Sequence, residues 1–510
     1  MAVALLPLVF IEVPPLVDYP NHLARAAFLA RGAASQLSDV YAVVWQNLPN
    51  LGTDVLMMGM IEVMPPTLAG RIFIGLVLVL LMAGMGLYAR VVFGRWSWWS
   101  AVGLLAAYNG TFLFGFLSFN LACGEALFFA AGWRAFRWSR PWLASGLLSL
   151  AVVLIWFTHV GGLLFLSILC FSHEVSILLD RKFKDFSVRQ IALSCLHYVP
   201  AAVLVALLAV TSPFMHVTGP SWMSLSTKPY QFYLALTSYE PLWDVPPLVL
   251  TAAFLLLCGA SGRLTVDRPT LIAVFLCLGL FVVSPMVAKG GTWVATRFAV
   301  MAWLLCFSGL LPEPRDRRLI ALAALLVLSC GVRLAGITSI WAEENARVAQ
   351  ARRALSCLAP GAVVGVYSWP MDGNGPRRPH ITGGMLSLDS HVGAWAITDR
   401  DAKWVNLFAI EGQQPIRLQA SYRAFEQPTH VLEPLGRIVE GIPDGSLQLS
   451  PEGQRFDAIL LVHADGATLP PISGLTLVAV SGQARLFGVG GRGIEHDCRP
   501  GKLQPGHAPS

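Results

Sequence analysis

Three residues of the types that enzymes use for proton transfer and anion binding lie close together near the start of the chain. Asp18, His22 and Arg25 follow one another at spacings of four and three residues. On a helix these spacings put the side chains about one turn apart on a common face. Asp18 is the candidate catalytic base, His22 is its catalytic partner or alternative, and Arg25 is a candidate substrate ligand. Helix capping is the simpler alternative for Asp18, because Pro20 falls in the first turn.

Four more residues could bind substrate, and they lie between apolar stretches or at the start of one. Lys289 and Arg297 flank a short turn, and a guanidinium suits bidentate binding of phosphate. Interfacial anchoring is the alternative role for Arg297. His159 lies in another turn, where a solvated or backbone-bonded histidine is the alternative. Lys228 lies in the loop 213–243 and is expected to cover the substrate cleft.

The elements that must position these residues are mostly membrane spans. The chain is 55% hydrophobic and 13% charged, whereas an ordinary soluble domain is about 25% charged. Apolar stretches of about 18 or more residues predict about ten spans, and the apolar segment 1–13 is a doubtful eleventh, read as the outer end of a first helix. A broken helical hairpin is indicated near 109–120. The predicted spans are 72–92, 98–117, 119–136, 142–158, 160–179, 190–212, 244–262, 269–288, 294–311 and 318–340.

Arginine and lysine residues follow every second predicted span. Short loops rich in these residues stay in the cytoplasm, so the segments 14–70, 213–243 and 289–296, and all residues after about 341, are predicted to face outside. We interpret the formal net charge of +6 as a signature of this topology and not of nucleic-acid binding. The basic residues are Arg90, Arg95, Arg134, Arg137, Arg140, Arg181, Lys182, Lys184, Arg189, Arg263, Arg268, Arg315, Arg317 and Arg318.

Two regions outside the spans carry patterns of their own. The outer loop 14–70 contains helix-like segments near 19–37 and 53–64. After Trp341 an exit helix and β-like runs at 362–367, 458–462 and 475–480 predict a small α/β domain over 342–490. Residues 491–510 are predicted to be disordered. The membrane domain is thus predicted over 1–341, including the outer loop.

The C-terminal domain offers two chemical motifs. Cys357 and Cys498 are the cysteines that lie outside the predicted spans, and an oxidising exterior would permit a disulfide between them. Sequence alone does not decide whether they pair. Asp389-Ser390-His391 contains hydrolase residue types, but no Gly-x-Ser-x-Gly turn surrounds Ser390, so catalysis there is not predicted.

With this layout the sequence resembles the membrane-embedded glycosyltransferases of the GT-C fold, a class that includes protein O-mannosyltransferases and aminoarabinose transferases. The shared features are an early acidic residue in a long helical outer loop, about ten further spans and a soluble C-terminal domain. The resemblance implies an α-helical polytopic fold with a small α/β domain outside the cytoplasm, in a bacterial inner membrane. It implies a polyprenyl-phosphate sugar donor, a lipid, glycan or protein acceptor, and membrane lipids as partners.

The resemblance also suggests roles for individual residues. Asp18 matches the first-loop acid of the family, which activates the acceptor or binds a metal, and Arg297 matches by topology the late-loop cations that hold the lipid phosphate. Many members carry two adjacent acids, whereas here Tyr19 follows Asp18. A second carboxylate would have to come from Glu12 or Asp54, so no obligatory metal cofactor is predicted.

Two other classes of function fit a polytopic chain. A transporter or flippase would carry inverted repeats and substrate residues near the middle of the membrane. The sequence shows no such repeat, and its ionisable residues cluster at the predicted outer face. A non-catalytic membrane assembly partner would not need Asp18.

Overall fold

The computed structural model describes residues 1–180, 195–216, 219–289, 291–369, 387–426, 432–442, 446–466 and 469–498. The predicted cytoplasmic residues Arg181, Lys182, Lys184 and Arg189 lie outside these ranges. Helices form most of the part before residue 356. They are α1 (Ala2–Phe10), α2 (Tyr19–Arg31), α3 (Leu51–Ile61), α4 (Pro66–Phe93), α5 (Trp99–Val102), α6 (Leu104–Ala107), α7 (Gly110–Leu113), α8 (Leu117–Phe136), α9 (Pro141–Thr158), α10 (Val160–Asp180), α11 (Val199–Thr211), α12 (Lys228–Leu234), α13 (Pro241–Ala260), α14 (Arg268–Val283), α15 (Val294–Gly309), α16 (Arg317–Leu355) and, in the C-terminal domain, α17 (Ala394–Arg400).

Among the described residues, five helices are long and apolar enough to cross a membrane, namely α4, α9, α10, α13 and α16. Shorter apolar helices, among them α14 and α15, pack with them. α4 and α8 cross closely. A Cβ atom at Gly84 would lie 2.6 Å from the carbonyl oxygen of Gly124, so glycine is needed for the two backbones to approach.

The predicted span 98–117 is wrong as a continuous helix. It consists of the short helices α5, α6 and α7. The side chain of Asn109 accepts a hydrogen bond from the Phe112 amide at 3.0 Å and donates to the Ala106 carbonyl and to Asn120 at 2.8 Å each. These two asparagines satisfy backbone groups that a broken helix leaves free inside a membrane. The predicted broken hairpin near 109–120 is confirmed.

The basic loops meet at one end of the bundle, which we call the basic end. Arg134 donates two hydrogen bonds to Asp267, at 2.8 and 2.7 Å, and Arg263 pairs with Asp316 at 2.9 Å. These contacts link the ends of α8 and α13 to the starts of α14 and α16. Residues from three of the predicted basic loops therefore lie together at this end of the fold.

The C-terminal domain is built on a four-stranded sheet with the order β10-β11-β8-β4. β4 and β8 run parallel, and the other neighbours are antiparallel. The three strands predicted from the sequence are confirmed as β4, β8 and β10. The strands of the chain are β1 (Tyr41–Val43), β2 (Leu264–Val266), β3 (Leu310–Pro312), β4 (Val364–Ser368), β5 (Ile416–Leu418), β6 (Val439–Gly441), β7 (Leu447–Leu449), β8 (Ala458–Val462), β9 (Ile472–Ser473), β10 (Leu475–Ser481) and β11 (Ala484–Val489).

A disulfide joins Cys357 and Cys498, whose Cα atoms are 5.6 Å apart. Residues 491–498 run beside the end of α16, where the amide of Ala359 donates to the Gly493 carbonyl at 3.0 Å. The predicted disorder is therefore wrong for 491–498, because the disulfide and these backbone hydrogen bonds hold the segment. Residues 499–510 lie outside the described part of the chain.

The outer loop 14–70 and the C-terminal domain form a continuous layer over the other end of the bundle, which we call the site end. The loop contains α2 and α3, as predicted. Its strand β1 pairs antiparallel with β5 of the C-terminal domain. Arg31 donates to the carbonyls of Ile397 and Thr398 at 2.7 and 2.6 Å, which binds α2 to the end of α17.

Candidate active site

Asp18 occupies the N-cap position of α2, but its side chain makes no capping hydrogen bond. The side chain of Asp18 therefore does not cap the helix, which was the simpler alternative for this residue. The side chain is 14% exposed, and its Oδ1 lies 3.5 Å from Nε2 of His391 in the C-terminal domain. Asp18 is thus a partly accessible carboxylate at the boundary between the bundle and the soluble layer, where a catalytic base could meet a substrate hydroxyl.

The broken helix fixes the backbone of Asp18. The amide of Asp18 donates to the carbonyl of Phe114 at 3.0 Å. Gly115 has a φ angle of +90°, and a Cβ atom there would lie 2.8 Å from the Asp18 nitrogen. Only glycine combines this backbone conformation with so close an approach. The break in the predicted span 98–117 therefore fixes the backbone position of Asp18.

Arg25 and Asp54 form a buried ion pair, with side chains 2% and 1% exposed. Nε and Nη2 of Arg25 donate to Oδ1 of Asp54 at 2.9 and 2.8 Å. Nη2 also lies 3.1 Å from Nδ1 of His22. The predicted convergence of Arg25 with His22 is present, but the guanidinium is committed to Asp54. In this arrangement Arg25 holds α2 against α3.

His22 is the second predicted catalytic residue. Burial, together with the nearby Arg25 guanidinium, lowers the pKa of His22 to about 3. Its imidazole is therefore neutral at physiological pH. A base with so low a pKa accepts a proton poorly near neutral pH, so the structure does not favour His22 as the base.

Arg297 and His159 contact each other at the site end, where α15 begins. Nη1 of Arg297 lies 3.2 Å from Nε2 of His159. Nδ1 of the same imidazole accepts a hydrogen bond from the amide of Gly161 at 2.8 Å. A neutral imidazole that accepts at Nδ1 carries its proton on Nε2. Two hydrogen-bond donors, Nε2 of His159 and Nη1 of Arg297, then face each other. His159 therefore does not accept a hydrogen bond from the guanidinium.

The remaining surroundings of Arg297 are apolar. Its Nε is buried and has no hydrogen-bond partner within the described residues. The guanidinium lies over the rings of Phe116 and Phe119, at 5.0 and 5.6 Å from their centroids. Asp18 interacts with it electrostatically but does not form an ion pair with it. A buried guanidinium nitrogen without an acceptor is costly, and an oxyanion placed there would supply the missing acceptor.

The two predicted lysines differ in their contacts. The carbonyl of Lys289, on the turn before α15, accepts a hydrogen bond from Gln413 of the C-terminal domain. Nζ of Lys228 donates to the carbonyls of Phe281 and Ser284 at 2.8 Å each. These two carbonyls lie at the end of α14, where a cation stabilises the helix. We therefore place Lys228 in the framework that holds α12 against α14.

His391 is the residue of this site that the sequence interpretation missed. The motif Asp389-Ser390-His391 was considered only as a hydrolase signature. In the structure, α2 and the segment 404–408 enclose His391, whose ring packs against Phe408 with centroids 5.0 Å apart. No local pattern could pair this histidine with Asp18, because the contact forms only when the C-terminal domain docks on α2.

The described residues contain no group of three or more His, Cys, Asp or Glu side chains that could hold a metal ion. Asp54 is paired with Arg25, and Glu12 is 59% exposed and contacts Arg352. Neither carboxylate therefore joins Asp18 in a shared site.

A cavity of about 550 Å³ opens beside the segment 405–411 of the C-terminal domain. Phe408 lines this cavity and contacts α2, since its amide donates to Oδ1 of Asn21 at 2.9 Å. Charged groups of both signs, including Arg417 and Glu426, line its walls. The cavity is large enough for a saccharide unit.

Comparisons with known proteins assign no family. No protein-family model matches the chain, and no curated protein sequence matches it. Among solved structures, the chain is similar to the apo crystal structure of ArnT from Cupriavidus metallidurans, with 11% sequence identity, 95% coverage of each chain and a TM-score of 0.47. A likeness this distant does not assign a function, so the function of this chain has to be argued from its site.

Proposed function

We propose that this protein is a membrane glycosyltransferase with a GT-C-like layout, which transfers a sugar from a polyprenyl phosphate to a lipid, glycan or protein acceptor outside the cytoplasm. The observation that carries the proposal is the presence of two unlike groups at the site end. Asp18 is a partly exposed carboxylate, and Arg297 is a guanidinium whose Nε has no hydrogen-bond partner within the described residues. Transfer from a phosphate needs both a base and a cation.

The proposed reaction is a displacement at the anomeric carbon of the donor. The acceptor hydroxyl oxygen forms a bond to this carbon, and the bond from the carbon to the phosphate oxygen breaks. Asp18 takes the hydroxyl proton. The electron pair of the broken bond leaves with the polyprenyl phosphate, whose negative charge Arg297 stabilises. The exposed side of Asp18 allows its proton to return to solvent.

The surroundings favour this division of roles. The rings of Phe116 and Phe119 beside Arg297 reduce the local dielectric, which strengthens the attraction of the guanidinium for phosphate. The cavity beside residues 405–411 is lined by the C-terminal domain. We therefore propose that the donor approaches through the membrane and the acceptor through the C-terminal domain.

The test is complementation of a deletion strain at matched membrane abundance, with surface and lipid glycans read by mass spectrometry. The variants are Asp18→Asn, Arg297→Gln and the control Arg315→Gln. Arg315 is 73% exposed and pairs with Glu313 at the basic end. We expect the deletion to remove one sugar from a glycan, the wild type and the control to restore it, and the other two variants to fail.

Two results would contradict the proposal. Full restoration by Asp18→Asn would remove the proposed base and favour a transporter or an assembly partner. An unchanged set of glycans in the deletion strain, with a lipid that accumulates on one side of the membrane, would favour a flippase.

A further inference from the structure

His391 belongs to the C-terminal domain, yet its imidazole is enclosed beside Asp18. The residue is 1% exposed. Its ring lies edge-on to Phe408, at 5.0 Å between centroids, and to Trp404, at 6.3 Å. A polar ring held this tightly has few orientations open to it. The direction of its two nitrogen atoms is therefore set by the fold.

Asn21 fixes which nitrogen of His391 carries the proton. Oδ1 of Asn21 accepts from the Phe408 amide at 2.9 Å, and Nδ2 donates to the Asn406 carbonyl at 2.9 Å. These two bonds determine the orientation of the amide. Nδ2 then lies 3.5 Å from Nδ1 of His391. Since Nδ2 can only donate, Nδ1 is the acceptor, and the neutral ring carries its proton on Nε2.

Nε2 faces the candidate base. It lies 3.5 Å from Oδ1 of Asp18, at the outer limit of a hydrogen bond. Catalytic hydrogen bonds are commonly long without substrate and shorten when it binds. The donor and the carboxylate therefore lie close enough for a small movement to form the bond.

The loop that carries His391 is braced from behind. The hydroxyl of Ser390 donates to the Ser387 carbonyl at 2.7 Å. Asp389 pairs with His463, which follows β8 in the main sheet. The motif that resembled a hydrolase signature is thus a support that joins the sheet of the C-terminal domain to Asp18.

We infer that His391 is a positioning residue of the transfer site. Its Nε2 donates a hydrogen bond to Asp18 and so holds the carboxylate toward the acceptor. The inference rests on the proposed function. It makes the C-terminal domain part of the active site, so that the base is fully aligned only when this domain is docked on α2. Among the described residues, the other charged and titratable groups near the pair are His22, Arg25, Arg297, Asp389 and His463.

The test measures the protonation of Asp18 directly and needs no substrate. Full-length protein in lipid nanodiscs is treated with dicyclohexylcarbodiimide, which reacts with protonated carboxyl groups, and labelling of the peptide that contains Asp18 is followed against pH by mass spectrometry. The variants are His391→Phe, which keeps an aromatic ring, and His391→Gln, which keeps a donor near Nε2. His496→Phe is the control, because His496 is 69% exposed and contacts only its neighbour Asp497 among the described residues.

A hydrogen-bond donor favours the ionised form of a carboxylate. The labelling midpoint of Asp18 is therefore expected to rise by about 0.5 to 1 pH unit in His391→Phe, and to stay near the wild-type value in His391→Gln and in the control. In the deletion strain, His391→Gln should restore more of the sugar than His391→Phe. If His391→Phe does not accumulate, His391→Met is the second apolar variant of similar volume.

Equal midpoints in wild type and in the apolar variants would overturn the role of His391. This holds even if Asp18→Asn is inactive. In that case the proposed transfer reaction would be retained, but without a role for His391. A raised midpoint together with full complementation by Asp18→Asn would have the opposite meaning. The contact would be real, and the proposed transfer reaction would be wrong.

Discussion

At the basic end of the bundle, Arg134 and Arg263 form ion pairs with Asp267 and Asp316. At the site end, Arg297 lies against aromatic rings and, within the described residues, has no carboxylate in ion-pair contact. The basic end thus pairs Arg134 and Arg263 with carboxylates. At the site end, Arg297 has no such pair among the described residues.

This difference indicates that the two ends use arginine for different purposes. Paired cations in short loops orient a membrane protein and join its helices. An unpaired cation beside a membrane is costly to bury, so its position indicates a function. The comparison predicts that substitutions at the site end affect activity and that those at the basic end affect it little.

The largest effect is expected from Asp18→Asn. This change keeps the volume of the side chain but removes the proposed base, so sugar transfer should fall by about 100-fold or more. The protein should remain as abundant in the membrane as the wild type. The amount of modified glycan in complemented cells is the measurement, and unchanged transfer would remove the distinction between the two ends.

Arg297→Gln should reduce transfer by about 100-fold, because it removes the cation that stabilises the leaving phosphate. Arg297→Lys keeps the charge and should recover part of the loss, although it cannot bind phosphate with two parallel hydrogen bonds. The order wild type, lysine, glutamine is expected in the same assay. Equal activity of lysine and glutamine variants would argue against a role for charge at this position.

Asp54→Leu tests the one buried ion pair of the outer loop. It leaves the Arg25 guanidinium buried without its partner, which should cost about 3 to 5 kcal/mol of stability. Thermal unfolding in detergent should show a lower midpoint. The double variant Arg25→Met with Asp54→Leu should be more stable than the single variant, since no buried charge remains.

His22 should make stability depend on pH. Its folded-state pKa of about 3 lies below the value of about 6.5 in an unfolded chain. Between these values the unfolded chain binds the extra proton, so stability falls as pH decreases from about 6.5 toward 3. His22→Gln should weaken this dependence between pH 7 and pH 5. Thermal unfolding of both proteins at the two pH values is the measurement.

The smallest effect is expected at the basic end. Arg315→Gln changes an exposed pair with Glu313, and such a pair contributes at most about 1 kcal/mol. Activity should be unchanged at matched abundance. A loss of transfer as large as that of Arg297→Gln would show that the two ends do not differ in the way described.

The sequence predicted the features that depend on composition and local pattern. Apolar stretches identified α4, α9 and α16, and the residue types near Asp18 and Arg297 identified both groups of the candidate site. The prediction of a continuous span over 98–117 was wrong because hydropathy carries no information about backbone conformation. Here Asn109 and Gly115 determine that conformation.

Contacts between distant segments could not be predicted. Arg25 was expected to bind substrate, but packing of α3 brings Asp54 to it. His391 was missed because its position depends on how the C-terminal domain docks. In each case a contact with a residue distant in sequence decides the role of the side chain. The spacing of residues along the chain does not predict such contacts.

The most direct test of the difference between the two ends is equilibrium binding of radiolabelled polyprenyl phosphate to the purified protein in nanodiscs. Wild type, Arg297→Gln and Arg315→Gln are compared at equal protein concentration. We expect saturable binding to the wild type. Arg297→Gln should lower the affinity for polyprenyl phosphate by about tenfold or more, and Arg315→Gln should leave it unchanged. Equal affinity of all three proteins would contradict the assignment of Arg297 to the donor phosphate.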